Sequence, residues 1–157
     1  MQLSILLTTN RTGLLACSRI AQACSWASPE IEVIVRDNSG DAQKREFLTL
    51  CRRDNCNIVI AEPCDMRTNF SEIFRLAKGE FVFIIADDDF CFDHAIAALP
   101  GVLGQCSQDP SVAGVTGAYA VEGSQGTSIA SYQNAESDDV EARVNGYLSY
   151  SGPNVFL

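Results

Sequence analysis

Short apolar runs alternate with segments of helical periodicity along the first part of the chain. Four runs are rich in β-branched residues and contain few polar ones, and they cover residues 3–8, 31–35, 57–60 and 81–85. Strands that are covered on both faces of a sheet have this composition, and sheets made of such strands are typically parallel. The pattern therefore predicts four buried strands.

The segments between these runs carry apolar residues at helical spacing. Residues 12–26 have one apolar stripe, which predicts a helix with Thr12 as its N-cap. Residues 41–51 predict a second helix in the same way. A third helix is predicted from an N-x-x-E capping pattern that starts at Asn69, and Gly79 is expected to end it.

Four strand–helix units within residues 1–95 predict an α/β fold, with a mostly parallel, Rossmann-like sheet and helices on both faces. Residues 96–157 have a weaker pattern and are expected to be a further segment of the same domain. A helix that starts at residue 93 is expected to break or kink at Pro100. The other predicted elements are a strand over residues 112–121, a turn over 123–127 and a short helix over 136–148.

The chain ends in an apolar, strand-like run at residues 153–157. Termini usually lie in polar sequence, so we expect the chain to be truncated or to belong to a longer parent. The same apolar tail favours self-association into a homo-oligomer.

The composition is that of a folded globular domain, with 46% hydrophobic and 20% charged residues. No apolar run reaches the length that a membrane helix needs, and the N-terminus lacks the features of a signal peptide. The expected location is therefore the cytoplasm, with peripheral attachment to the inner membrane left open. The seven cysteines include no C-x-x-C pair, which favours core thiols over disulfides or a metal site.

The net charge of −9 is concentrated in the second half of the chain. Residues 1–79 carry ten Lys or Arg against nine Asp or Glu, whereas residues 80–157 carry only Arg143 against eleven acidic residues. The chain lacks the basic surface that would neutralise a phosphate backbone, which argues against a nucleic acid partner. An acidic half that accepts an anionic ligand needs a bridging cation.

Polar residues follow each predicted strand, at the sheet edge where ligands bind in parallel α/β proteins. The four strand ends read TTNR from residue 8, DNS from residue 37, EPCDMRTN from residue 62 and DDD from residue 87. Each one alone is also typical of a turn. The three adjacent aspartates are more specific, because their mutual repulsion would be relieved by a hard divalent cation. In a D-x-D motif, Asp87 and Asp89 can project to the same side and share that cation.

Taken in this order, the motifs resemble those of the large group of inverting, family-2-like GT-A glycosyltransferases. Members of that family read strand-P-T-Y-N-R, strand-D-[DN]-x-S, an Asn-initiated helix that ends in A-x-G-E-[FY], and strand-D-x-D-D. The present chain has A-K-G-E-F at residues 77–81, between the second and the last of its own strand-end motifs. The match covers about residues 2–95.

The resemblance implies a nucleoside-diphosphate sugar as donor, with a UDP-sugar favoured, and Mn²⁺ or Mg²⁺ as cofactor. Thr8 and Asp37 would line the base and ribose site, and Asp87 would face the ribose or the sugar. Asp89, together with Asp87, would ligate the metal, a Lewis acid for departure of the nucleoside diphosphate. Residues 96–157 would then be a partial acceptor-side segment. The other residues implied at the donor site are Asn10, Arg11, Arg67, Asn69 and Asp88.

The sequence departs from the family pattern in three respects. Consecutive threonines at Thr8 leave open which of the two meets the base, and Phe90 stands where many members have another Asp. Inverting transfer also needs a carboxylate base to deprotonate the acceptor hydroxyl. Asp138 and Asp139 are the candidates for this base, although they also fit the acidic start of a helix. The acceptor, whether glycan, lipid or protein, is left open.

The main hypothesis is therefore a metal-dependent hexosyltransferase, and the alternative is a truncated or degenerate donor-binding module without turnover. A dinucleotide-binding Rossmann domain is disfavoured because no G-x-G-x-x-G follows the first strand. A sugar nucleotidyltransferase would carry a Gly-rich loop at that place. A phosphatase with an aspartyl nucleophile would place its D-x-D on an early strand.

Overall fold

The computed structural model describes residues 2–109, together with the backbone of residues 119–123 and 126–130. Four parallel strands form one sheet, as the apolar runs predict. They are β1 (Leu3–Thr9), β2 (Ile31–Asp37), β3 (Cys56–Ile60) and β4 (Phe81–Ala86). Their order in the sheet is β3-β2-β1-β4, so that β1 and β2 are the central strands and are buried along nearly their whole length.

Helices connect the strands and continue the chain after the last of them. They are α1 (Leu14–Ser25), α2 (Ala42–Leu50), α3 (Met66–Phe74) and α4 (Asp93–Cys106). The connections from β1 to β2 and from β2 to β3 move along the sheet in one direction, whereas the connection from β3 to β4 moves back past β2 and β1. Because crossovers between parallel strands are right-handed, the reversal places its helix on the other face. The connecting helix α3 therefore lies on the opposite face of the sheet from α1 and α2. Ile73 of α3 accordingly packs with Leu6 and Ile34.

The third helix begins and ends earlier than its sequence pattern predicts. Its N-cap is Asp65, whose carboxylate accepts hydrogen bonds from the Thr68 amide and the Thr68 hydroxyl, both at 2.9 Å. The predicted N-cap, Asn69, lies inside the helix and is buried. The helix ends at Phe74 rather than at Gly79. Asp and Asn are both favoured N-caps. Asp65 caps the helix, whereas the Asn69 side-chain oxygen, the atom that would cap, accepts from Arg36 instead.

Gly79 is required by packing rather than by a helix end. A Cβ atom at this position would lie 2.5 Å from the Ser4 backbone nitrogen and 2.7 Å from the Leu3 carbonyl carbon. The Gly79 amide donates to the Ser4 hydroxyl at 2.7 Å, and this hydroxyl donates to the buried Glu32 carboxylate at 2.5 Å. Glu32 also accepts from the Lys78 amide at 2.5 Å. These bonds hold the chain that leads into β4 against the amino ends of β1 and β2.

Two further helix predictions need correction. The N-cap of α1 is Gly13 rather than Thr12, and it makes no side-chain capping hydrogen bond. Helix α4 continues through Pro100 to Cys106, so the predicted break is wrong, and the alternative, a kink, stays a prediction. A proline inside a helix removes one backbone hydrogen bond, and in α4 the Pro100 ring is buried.

Residues 119–123 and 126–130 form an antiparallel pair of strands in a separate unit of the chain. These strands are β5 (Tyr119–Gly123) and β6 (Gly126–Ala130), and Gly123 pairs with Gly126. Of the strand predicted over 112–121, the part from Tyr119 onwards lies in β5, and the earlier part lies outside the described residues. Gly123, Gly126 and Thr127, predicted to lie in a turn, belong to the two strands. The predicted helix at 136–148 lies outside the described residues. Within the described part of the chain, no helix has both the length and the hydrophobicity to cross a bilayer.

We expect Gly79→Ala to destabilise the protein by about 1–3 kcal/mol, because the new methyl group meets backbone that cannot move aside. Gly101→Ala is the matched control, since a Cβ there meets nothing within 4 Å. Alanine is also favoured over glycine inside a helix, by about 1 kcal/mol. Urea unfolding of both variants measures the difference. Equal midpoints for the two variants would contradict the packing role of Gly79.

Candidate functional site

Three buried polar side chains meet at the carboxyl ends of the central strands. Thr9 at the end of β1 pairs in register with Asp37 at the end of β2. Asp87 follows directly after Ala86, which pairs with Thr8 on the other side of β1. Thr9, Asp37 and Asp87 are at most 5% exposed. The strand order therefore gathers three separate sequence motifs at one sheet edge.

Lys44, on helix α2, contacts two of these side chains, those of Asp37 and Thr9. Its ammonium group lies 2.8 Å from the Asp37 carboxylate and donates to the Thr9 hydroxyl at 2.7 Å and to the Arg11 carbonyl at 2.6 Å. Both side chains of the ion pair are sealed from solvent. The strand-end motifs do not include Lys44, because it lies on α2. The sequence does offer one indication that Lys44 is buried: it lies four residues before Leu48 and so shares the inward face of the helix with that buried residue.

Asp37 is held on both of its oxygens. Besides the contact with Lys44, Oδ1 accepts from the Ser39 amide at 3.2 Å, and Oδ2 accepts from the Ser39 hydroxyl at 3.1 Å. The carboxylate therefore organises the turn after β2 as well as the end of the strand. A buried carboxylate with these partners has a fixed orientation.

A second chain of contacts runs from Thr9 to the acidic loop, residues 87–89. The Thr9 hydroxyl lies 2.5 Å from Asp87 Oδ2, and Arg11 Nη1 lies 2.6 Å from Asp87 Oδ1. The same guanidinium nitrogen lies 2.8 Å from Asp88 Oδ1. The hydrogen bond that Arg11 donates to Asp88, followed by the charge of Asp87, raises the pKa of Arg11 above its ordinary value. Arg11 is therefore a permanent cation between these carboxylates.

Asp89 faces a different partner from Asp87. One of its carboxylate oxygens accepts from the Ala86 amide at 3.2 Å, and its own amide donates to the Ala86 carbonyl at 3.2 Å. The loop thus turns tightly after β4. Asp87 and Asp88 converge on Arg11, whereas the sequence motif predicts that Asp87 and Asp89 share a side.

The acidic loop supplies the type of ligand that Mn²⁺ and Mg²⁺ prefer, namely carboxylate oxygen. Within residues 2–109, whose side chains are described, no group of three or more His, Cys, Asp or Glu side chains is already arranged around one metal position. The second oxygen of Asp89 accepts no hydrogen bond from any described residue. The carboxylate oxygens of the loop are suitable ligands for a divalent cation. A cation that binds Asp87 and Asp88 would have to replace the contacts that these residues make with Arg11.

The remaining predicted donor residues lie in different surroundings. Asn10 and Arg67 are exposed, the latter in the first turn of α3. Thr8 is half-buried and, by strand alternation, lies on the face opposite to Thr9, so Thr9 is the threonine beside Asp37. Their roles at a donor site stay predictions. Asp138 and Asp139 lie outside the described residues.

Asn69 belongs to a separate polar cluster on the α3 face of the sheet. Its side-chain oxygen accepts a short hydrogen bond from Arg36, and its amide donates to the Asn38 side chain at 2.9 Å. Asn38 in turn donates to the Cys64 carbonyl at 2.9 Å. The cluster fixes the loop between β3 and α3 against the end of β2. The predicted N-cap role of Asn69 is wrong, and its predicted place beside the donor pocket stays a prediction.

Aromatic side chains follow the acidic loop and are largely exposed. Phe90 and Phe92 meet edge to face at 5.1 Å, and the Arg19 guanidinium lies 4.7 Å from the Phe90 ring centre. Burial raises the pKa of the neighbouring Cys91 thiol to about 11, so this thiol is protonated at neutral pH. All seven cysteines are free, as expected for thiols that pack rather than bridge.

Asp93 anchors the chain beyond this loop to α1. Its carboxylate accepts from the Trp26 indole at 2.7 Å and from the Gln22 amide at 3.0 Å. These two hydrogen bonds, that of Trp26 first, hold the pKa of Asp93 below its ordinary value. The segment from Asp87 to Asp93, which includes the acidic loop, is thus fixed at both ends, at β1 through Asp87 and at α1 through Asp93.

Two glycosyltransferases of known structure have a similar arrangement of strands and helices. TarS from S. aureus (residues 1–349) superimposes with a TM-score of 0.55 at 17% sequence identity, over 67% of this chain and 33% of that one. The mannosyltransferase PcManGT from Pyrobaculum calidifontis, solved with GDP-Man and Mn²⁺, superimposes with a TM-score of 0.51 at 17% identity, over 71% of this chain and 33% of that one. The chain has a GT-A glycosyltransferase fold.

At this identity the likeness shows the fold alone. The chain spans about a third of the length of both structures. No protein-family model matches the sequence, and no curated protein matches it significantly. The predicted α/β fold of Rossmann-like GT-A type is confirmed, and the chemistry of this chain depends on its own side chains.

We expect Lys44→Met to destabilise the protein by about 3–5 kcal/mol, because it leaves the Asp37 carboxylate buried without a cation. The double variant Asp37→Asn/Lys44→Met removes both charges and should recover most of this loss. Urea unfolding of the wild type, both single variants and the double variant measures the coupling between the two side chains. A Lys44→Met protein within about 1 kcal/mol of the wild type would contradict the buried pair.

We expect Asp93→Asn to lower the melting temperature at neutral pH but not at low pH. Because the folded-state pKa of Asp93 is depressed, its stabilisation is complete above the ordinary aspartate pKa of about 3.9 and is lost as the pH falls through the folded value. Trp26→Phe removes the first donor and should reproduce part of the effect. Thermal melts between pH 7 and pH 2 test this, and a difference from the wild type that stays constant with pH would refute it.

Proposed function

We propose that this protein binds a nucleoside-diphosphate sugar at the carboxyl ends of β1, β2 and β4 and transfers the sugar to an acceptor. The observation that carries the proposal is the meeting of buried Thr9, Asp37 and Asp87 at that edge of a GT-A fold. Parallel α/β sheets bind their ligands beyond the carboxyl ends of the strands. Buried polar groups at such an edge, joined by strong contacts, form a pre-organised site.

Asp37 is proposed to face the base and ribose of the donor. Lys44 and the Ser39 amide occupy both lone pairs of Oδ1, and the Ser39 hydroxyl occupies one of Oδ2, so that one lone pair of Oδ2 remains for a donor. Because the side chain is closed off from solvent, direct contact with a donor requires the turn at Ser39 to shift. A carboxylate accepts hydrogen bonds from a pyrimidine or purine N–H or from a ribose hydroxyl. We favour a UDP-sugar on the motif resemblance, and GDP is the second nucleotide to test because PcManGT was solved with GDP-Man.

Asp89, together with Asp87, is proposed to hold Mn²⁺ or Mg²⁺ against the diphosphate. Support comes from the carboxylate donor set and from the Mn²⁺ in the PcManGT structure. The metal would supply Lewis-acid assistance to departure of the nucleoside diphosphate. It would also place positive charge where an acidic protein must accept an anionic ligand.

Transfer is proposed to invert the configuration at the sugar carbon. This mechanism needs one carboxylate base on the acceptor side, and Asp138 and Asp139 remain its candidates. The acceptor is a hydroxyl of a glycan, lipid or protein. Binding of a donor without any turnover is the alternative outcome of the same experiments.

We expect uridine or guanosine diphosphate to bind the whole chain in the presence of Mn²⁺, and Asp89→Asn to weaken this binding by about tenfold or more. Calorimetric titration with and without Mn²⁺ measures both effects. The matched control is Asp54→Asn, which removes an exposed carboxylate from the turn before β3. If neither nucleotide binds to the folded wild type, the proposed function fails. If both variants lose affinity equally, the metal role of Asp89 fails.

A further inference from the structure

Arg11 joins the first two carboxylates of the acidic loop. A single guanidinium nitrogen lies 2.6 Å from Asp87 Oδ1 and 2.8 Å from Asp88 Oδ1. The second oxygen of Asp87 is bound to the Thr9 hydroxyl. Both oxygens of Asp87 therefore already have a donor, and a metal that binds Asp87 must compete with one of them.

The two sides of this ion pair differ in exposure. The Asp87 side chain is 6% exposed, whereas that of Arg11 is 54% exposed. A buried carboxylate that loses its cation is strongly destabilising, so Asp87 needs a positive charge beside it. The half-exposed guanidinium can return to water at little cost, since exposed ion pairs contribute little. Arg11 is therefore the partner that can be exchanged.

We propose that Arg11 is an internal counter-ion of the acidic loop, which competes with the divalent metal for the oxygens of Asp87 and Asp88. The metal binds when the guanidinium leaves, and the diphosphate gives the freed guanidinium a new anionic partner with which it can form two parallel hydrogen bonds. This inference rests on the proposed donor site. It adds to that site a coupling between metal and nucleotide, in which each promotes binding of the other.

The consequence is a coupling between the two ligands. If the nucleotide draws Arg11 away from Asp87, it raises the affinity for the metal, and by linkage the metal raises the affinity for the nucleotide by the same factor. Without nucleotide, Arg11 keeps the metal affinity low. The coupling should therefore shrink when Arg11 is replaced by a neutral side chain.

The test is Mn²⁺ binding in the absence of nucleotide, followed by the electron paramagnetic resonance signal of free Mn²⁺. We expect Arg11→Met to bind Mn²⁺ about fivefold more tightly than the wild type, a factor typical of the loss of one ion pair. Arg11→Lys keeps the charge but has a single-point ammonium, so its affinity should lie between the two. This variant also carries the test if Arg11→Met does not fold.

Arg75→Met is the matched control for net charge. Arg75 is an exposed arginine at the C-terminal end of α3, where it pairs with Glu72 rather than with the acidic loop. Its removal changes the net charge of the protein by the same amount and should leave the Mn²⁺ affinity within about twofold of the wild type. Equal tightening in both variants would mean a general charge effect and would overturn the proposal.

An Arg11→Met protein that binds Mn²⁺ no more tightly than the wild type, or not at all, also overturns it. The proposed function has a separate readout, because it depends on nucleotide binding with Mn²⁺ present. Tighter Mn²⁺ binding by Arg11→Met without any nucleotide binding would support the counter-ion role and refute the donor site. Nucleotide binding with unchanged Mn²⁺ affinity would do the reverse.

Discussion

Lys44 and Asp37 form an ion pair that is closed off from water, and the site end of the sheet depends on it. The ammonium also donates to Thr9 and to the Arg11 carbonyl, so that one helix residue connects the ends of β2 and β1 and the segment that follows. The Thr9 hydroxyl in turn donates a hydrogen bond to Asp87, the residue after β4. Lys44 thus links the ends of β2 and β1 directly and the end of β4 through Thr9, and low dielectric surroundings make these contacts strong.

The two faces of the sheet carry different polar clusters at this edge. Thr9 and Asp37 lie on the face of α2, whereas Arg36 and Asn69 meet on the face of α3. Strand alternation produces this division, because successive residues of β2 point to opposite faces. The consecutive polar residues at each strand end therefore serve two networks, one beside the proposed donor and one that fixes the loop before α3.

Local sequence patterns predict much of the fold, and the polar residues directly after each apolar run predict most of the candidate site. Buried apolar runs predict all four parallel strands, and Asp37 and Asp87 are found because they follow such runs directly. Lys44 is missed because a lysine on a helix normally lies in solvent, and only its tertiary partners make its burial favourable. The early start of α3 is missed because two capping patterns compete, and the contacts of Asn69 decide between them.

The segment from Asp87 to Asp93, which includes the acidic loop, is held at both ends. Asp87 is held to β1 and Asp93 to α1, which leaves only residues 88–92 between the anchors. A chain extends at most about 3.6 Å per residue, so the Cα atom of Asp89 stays within about 7 Å of that of Asp87. Asp89 can exchange its contact with the Ala86 amide for another partner only within this distance of the sheet edge. A ligand at this place must therefore come to the loop, and its distance from the strand ends is set by the protein before the ligand arrives.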